Sequence, residues 1–183
     1  RIPIIDSPWA GTIRRWHEEG MPEDMDWRDY FGVDKVETIG VDISPRYPVV
    51  RISEDEDSYI ETSKWGVTMR NFKDATCHPE FLDFKVVDEE TWADCKARML
   101  EDAEDRIDWE YLEKNYPIWK EEGRWIQAGF WFGFDVTHSW MMGTENHLIA
   151  MYEDPDLVVD MYNTYLDCCI KQFTKIWDAG YHF

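Results

Sequence analysis

The sequence predicts an α/β fold built on parallel strands, and three observations predict it. A short apolar run, Ile2 to Ile5, opens the chain as a strand. A second run, RWIQAGFWFGF, is apolar nearly throughout, as a strand buried on both faces would be. Between and after them lie segments of helical periodicity, each opened by a capping residue. Strand, helix, helix and strand again is the order of a parallel α/β protein.

Taken in order, Asp6-Ser7-Pro8 supplies a cap and a first-turn proline for the helix WAGTIRRWHEE, and Gly20 ends it. MPEDMDWRDYFGVD reads as another short helix and a turn. From Val36 to Phe72 the pattern becomes alternation: VVRIS, SYIETS and WGVTMRNF read as hairpin strands, with EDEDSY as a polar turn. These hairpins, near residues 36–72, are an insertion in the parallel scheme. Asp88 then caps EETWADCKARMLEDAEDRI, and Asp108 caps WEYLEKNYPIWKEEG. Thr144 caps ENHLIAMYE after a turn made by Gly143. Asp154 and Pro155 open a last helix, in which Val158, Met161, Tyr165, Cys169, Phe173 and Ile176 recur at helical spacing as a core face, and Gly180 ends it.

A closed (β/α)8 barrel usually needs about 250 residues, so the 183 residues here read as the N-terminal part of one such domain. The chain starts at Arg1 in what reads as a strand and stops at AGYHF, where another strand would begin; both ends read as cuts in a longer protein. A hydrophobic fraction of 44% with eleven Trp argues for a substantial core and against disorder. A net charge of -20 argues against nucleic acid or an anionic membrane as a partner. The acidity itself reads as solvated helix faces such as EDAEDRIDWE. The cysteines, Cys77, Cys95, Cys168 and Cys169, form no CxxC pair and read as reduced thiols of a cytoplasmic protein. No stretch approaches the roughly 18 apolar residues of a membrane span.

In an α/β barrel the chemistry lies where strands end and loops begin. After the first predicted strand come Asp6 and Trp9, then Arg14 and Arg15 on the following helix. Either guanidinium could hold a substrate carboxylate, but adjacent residues point about 100° apart on a helix, so one of them is expected to form an ordinary surface ion pair. After the aromatic strand come Trp131, Asp135 and His138. Asp135, at the end of an apolar strand, reads either as a desolvated acid–base or substrate-holding group or as a turn cap. His138 reads either as a proton shuttle or as an ordinary hydrogen-bonded histidine. The histidines show no metal spacing, and Gly129, Gly133 and Gly143 form no nucleotide-binding loop.

GFWFGFDVTHSWMMGTENHLIAMYEDPDLVVDMYN resembles the uroporphyrinogen decarboxylase superfamily, in which a glycine-rich aromatic strand precedes a Met-Gly-Glu turn and an EDP helix start. RRWHEEGMPEDMDWRDYFGVD, EDEDSYIETSKWGVTMR and FLDFKVVDEETWADCKARM resemble its divergent branch. The resemblance implies a TIM barrel of that type and an enzyme of one of two chemistries. One is corrinoid-linked methyl transfer from a small methylated substrate, with the corrinoid on a partner protein and zinc bound by the second half of the barrel. The other is cofactor-free decarboxylation of uroporphyrinogen by a homodimer, in porphyrin metabolism. The decarboxylases carry Met-Arg-Gln-Ala-Gly-Arg where this chain reads SPWAGTIRRWHEEGMP, and a tyrosine at a position close to Ser139. Both departures count against decarboxylation, and the divergent branch that RRWHEEGMP resembles is commonly found beside corrinoid proteins, which implies methyl transfer, with Asp135 and His138 orienting the substrate and Trp9 and Trp131 walling the pocket. A non-catalytic half-barrel that binds or scaffolds is the third expectation.

Overall fold

The computed structural model describes residues 1–74 and 77–183. Helices α1 (Ala10–Glu18) and α2 (Trp27–Phe31) lead into strand β1 (Val36–Ile39). Strands β2 (Arg51–Glu54), β3 (Ser58–Thr62), β4 (Thr68–Phe72) and β5 (Glu80–Asp83) follow, then helices α3 (Glu89–Leu100) and α4 (Trp109–Glu121) and strand β6 (Trp125–Ala128). A short helical turn, α5 (Phe134–Val136), runs into a π-helical turn, Thr137–Met141, and helices α6 (Thr144–Glu153) and α7 (Pro155–Asp178) complete the order. β1 and β6 form a parallel pair, and β2-β3-β4-β5 form an antiparallel sheet; among the described residues there is no closed barrel.

The mixed α/β character is therefore as the sequence predicts, but the parallel strands are placed differently. Ile2 to Ile5 is not a strand. Among the described residues no strand pairs with it; the backbone of Ile4 bonds instead to Asp34, through N–H to Oδ2 (2.8 Å) and from the Asp34 N–H to its carbonyl (2.9 Å), and Ile2, Ile4 and Ile5 remain exposed. The first parallel strand is β1, which the alternating pattern had grouped with the hairpins; Val36 to Ile39 pair in register with Trp125 to Ala128. The inserted sheet accordingly runs from β2 to β5, one strand further than the alternation reaches. β6 is four residues long and is not buried on both faces. Ile126 and Ala128 pack on the core, while Trp125 and Gln127 face outward and Gln127 donates to the Thr38 hydroxyl (2.9 Å).

Capping decides where several helices begin and end. Asp88 accepts from the Thr91 N–H (2.8 Å) in a capping box, Asp108 from Tyr111 (2.9 Å), and Asp154 from Leu157 (3.1 Å). The cap expected from Asp6 and Ser7 is absent: α1 starts after Trp9, with no side-chain cap. Nor does Thr144 cap α6. Gly143, at φ +82°, holds the N-cap position, and the ring of Phe84 would lie 2.7 Å from any Cβ added there. α3 stops at Leu100, short of the predicted end. Acidic residues at a helix C-terminus oppose its dipole, and Asp102 turns away to pair with Lys171 (2.9 Å) and Lys175 (2.5 Å) of α7.

The core lies where α3 packs on α7. Cys95 and Met99 of α3 are buried beside Cys168, Cys169, Met161 and Ile176, and all six residues of the predicted core face of α7 are buried. Asp160 of α7 ties the pair together, accepting from Trp92 Nε1 (2.8 Å) and Lys96 Nζ (2.6 Å).

Candidate functional site

β1 and β6 run parallel, so their carboxyl ends open on the same side, the position at which α/β proteins place ligands. A pocket of about 230 Å³ lies there. Gly40 to Ile43, which follow β1, form one side, and Gly129, Phe130 and Trp131, which follow β6, form another. Lys64 and Trp65 reach in from the turn between β3 and β4, and Trp140 and Tyr165 close the back. That turn is fixed by Gly66, at φ +89°, where an added Cβ would lie 2.6 Å from Lys85 and 2.8 Å from Tyr47.

Asp42 is the centre of charge in the pocket wall. Its Oδ1 accepts from the Ser44 N–H (3.1 Å), the Ser44 hydroxyl (2.7 Å) and Lys64 Nζ (3.1 Å), and its Oδ2 from Arg46 Nε (3.0 Å). Burial raises its pKa, but the bonds from Ser44 and Lys64 and the Lys64 charge outweigh that and leave it lowered. Asp42 is thus an ionised anchor. Behind it, the buried guanidinium of Arg106 donates to four carbonyls: Asp42 (2.9 Å) and Ser44 (3.1 Å) after β1, and Arg98 (2.7 Å) and Glu101 (2.7 Å) at the end of α3. Arg106 locks the loop after β1 to the helix layer.

The residues singled out from sequence fall in three places. Trp131 lines the pocket and lies 6.0 Å from Trp140, ring centre to ring centre. Asp135 does not end a strand: β6 stops at Ala128, and Asp135 is exposed on α5 beside Val136, the residue of that turn that lines the pocket. His138 lies on the π-helical turn, its Nδ1 3.0 Å from the Thr144 hydroxyl and its Nε2 3.0 Å from the Ser139 hydroxyl. Trp9, Arg14 and Arg15 border a different, open depression on α1, because the strand expected to precede them does not form. Arg15 is the surface ion pair expected of one of the two, with Glu19 at 2.7 Å.

Sequence reasoning missed Asp42, Lys64 and Arg106, whose roles depend on contacts 22 to 64 positions apart in the chain. It also set aside His147, which is fully buried. Its Nε2 is paired with the Tyr162 hydroxyl (2.9 Å), and its Nδ1 has no hydrogen-bond partner among the described residues. Phe134 lies between His138 and His147, 4.8 Å from each ring. Burial first, and the neighbouring His138 second, push the His147 pKa down. Burial also pushes the Cys95 and Cys169 thiols up to about 12, which makes them packing groups rather than nucleophiles. Among the described residues no three His, Cys, Asp or Glu side chains are grouped to hold a metal ion, and no helix is long and apolar enough to cross a membrane.

Fold and pocket together define a mixed α/β protein with a small, aromatic-walled site at the carboxyl ends of paired parallel strands. Compared with models of protein families, with curated proteins and with solved structures, the chain matches none.

Proposed function

We propose that residues 1–183 form the first part of a uroporphyrinogen decarboxylase-type barrel, and that its pocket serves corrinoid-linked methyl transfer from a small methylated substrate. The observation that carries this reading is the aromatic pocket at the shared carboxyl end of β1 and β6, with the antiparallel insertion contributing Lys64 and Trp65 to its wall. At about 230 Å³ it falls below the roughly 300–1,000 Å³ typical of drug-sized ligands, which suits a small methyl donor better than a tetrapyrrole. Phe130 and Trp131, which line it, are exposed, an apolar rim suited to a corrinoid presented by a partner protein. A reduced corrinoid would supply the electron pair that takes the methyl group, while the substrate heteroatom keeps the pair of the broken bond.

In this reading Trp131 walls the pocket, and Asp42 and Lys64 take the substrate-orienting role that the sequence assigned to Asp135 and His138. Zinc has no fitting donor set among the described residues, and the resemblance assigns its ligands to the second half of the barrel. The full-length protein, mixed with a reduced corrinoid protein and a panel of methylated compounds, is expected to methylate the corrinoid, read by its visible spectrum. Conversion of uroporphyrinogen to coproporphyrinogen with no corrinoid methylation would overturn the reading in favour of decarboxylation.

A further inference from the structure

We infer that the pocket at the ends of β1 and β6 takes a methylated ammonium zwitterion, a betaine, with its cationic head among the aromatic rings and its carboxylate at Lys64. The inference rests on reading this pocket as the substrate site and names the class of molecule it holds.

Five aromatic side chains from four separate segments border the pocket: Trp65, Phe130, Trp131, Trp140 and Tyr165. Trp65 and Tyr165 stack at 6.0 Å, Phe130 lies 6.5 Å from Tyr165, and Trp131 lies 6.0 Å from Trp140. Trp131 and Phe130 are 63% and 44% exposed, so ring surface is left for a ligand to cover. A quaternary ammonium has no N–H to donate and is weakly hydrated, and the negative faces of aromatic rings are its natural partners. The charge of -20 favours a cation's approach over an anion's.

Lys64 limits the choice further. Its Nζ is 3.1 Å from Asp42 Oδ1, and its side chain is half exposed, which leaves ammonium donors for a ligand. A simple cation in so small a space would be repelled by Lys64. A molecule with a carboxylate at its other end turns that repulsion into an ion pair, and the pocket's own pairing of Lys64 with Asp42 mirrors such a dipole. An uncharged methyl ether would use the rings but neither the lysine nor the field.

The test is binding to the full-length protein without corrinoid, by calorimetry and tryptophan fluorescence. The probes are trimethylammonioacetate, its uncharged-head isostere tert-butylacetate, and choline, which lacks the carboxylate. Trimethylammonioacetate is expected to bind about tenfold more tightly than either. Trp131→Leu should weaken it about tenfold, and Lys64→Gln should erase its advantage over choline while circular dichroism stays unchanged. Equal binding of tert-butylacetate, or no binding of trimethylammonioacetate by the folded protein, would overturn the inference. Methyl transfer from another donor class without betaine binding would overturn this inference alone; betaine binding without methyl transfer to corrinoid would overturn only the proposed reaction.

Discussion

Arg106 shows how much one side chain can decide. Its buried guanidinium bonds to four carbonyls from two elements. The carbonyls of Arg98 and Glu101 also accept from the N–H groups of Glu101 (3.4 Å) and Ala103 (3.2 Å), so removing Arg106 chiefly takes the donor from those of Asp42 and Ser44, the latter buried. Arg106→Met is expected to destabilise the protein by about 3 kcal/mol or more, measured by urea unfolding; an unchanged midpoint would show that the loop after β1 is held by other means. His147 acts through its protonation. Its folded pKa is lowered from 6.5, so the unfolded chain takes up a proton before the folded one does. Its contribution is present in full above that value and is lost as pH falls from there towards the lowered folded value. The unfolding free energy should therefore decline below pH 6.5, by up to about 1.4 kcal/mol per pH unit. A pH series of His147→Phe should lack that component.

Gly129 governs the parallel pair at the scale of elements. A Cβ there would stand 2.4 Å from the Thr38 Cγ2, across the end of β1 and β6 and at the edge of the pocket. Gly129→Ala should cost about 1–3 kcal/mol by overpacking, and Thr38→Ser, which removes only that methyl group, should restore part of the loss in a double-mutant cycle. Additive effects would place the strain elsewhere. The elements best legible in sequence were those with a local cause. Asp88, Asp108 and Asp154 each cap a helix through a bond three residues on, and the core face of α7 is a 3.6-residue repeat. Strand identity was less legible, because Ile2 to Ile5 reads as an apolar run while Val36 to Ile39 (VETI) continues the alternation of the hairpins. Only the availability of a partner, β6 for the second and none for the first, makes one of them a strand. The error carried over to the site. Placing the first strand too early assigned Trp9, Arg14 and Arg15 to a strand end that does not exist, and left Asp42 unnoticed.

Charge governs the whole molecule. Thirty-nine acidic residues face nineteen basic ones, and the ion pairs that form, such as Arg98–Asp94 and Arg51–Glu54, are mostly exposed. Exposed pairs are each worth little, so net self-repulsion dominates, and raising ionic strength from about 0.01 to about 0.15 M should raise the thermal midpoint by screening it; a fall would show that the ion pairs outweigh the repulsion. The sequence by itself determined the α/β class, the helix starts at Asp88, Asp108 and Asp154, the core face of α7, strands β2 to β4 of the hairpin sheet and the turn at Gly143, because each depends on neighbours within a few residues. The tertiary structure alone decided which strands are parallel, that the aromatic run after Ala128 leaves the sheet, and that Asp42, Lys64, Trp65 and Trp131 meet at one pocket. Those four come from separate segments, and pairing across such distances is a balance of chain closure and packing that no local pattern records.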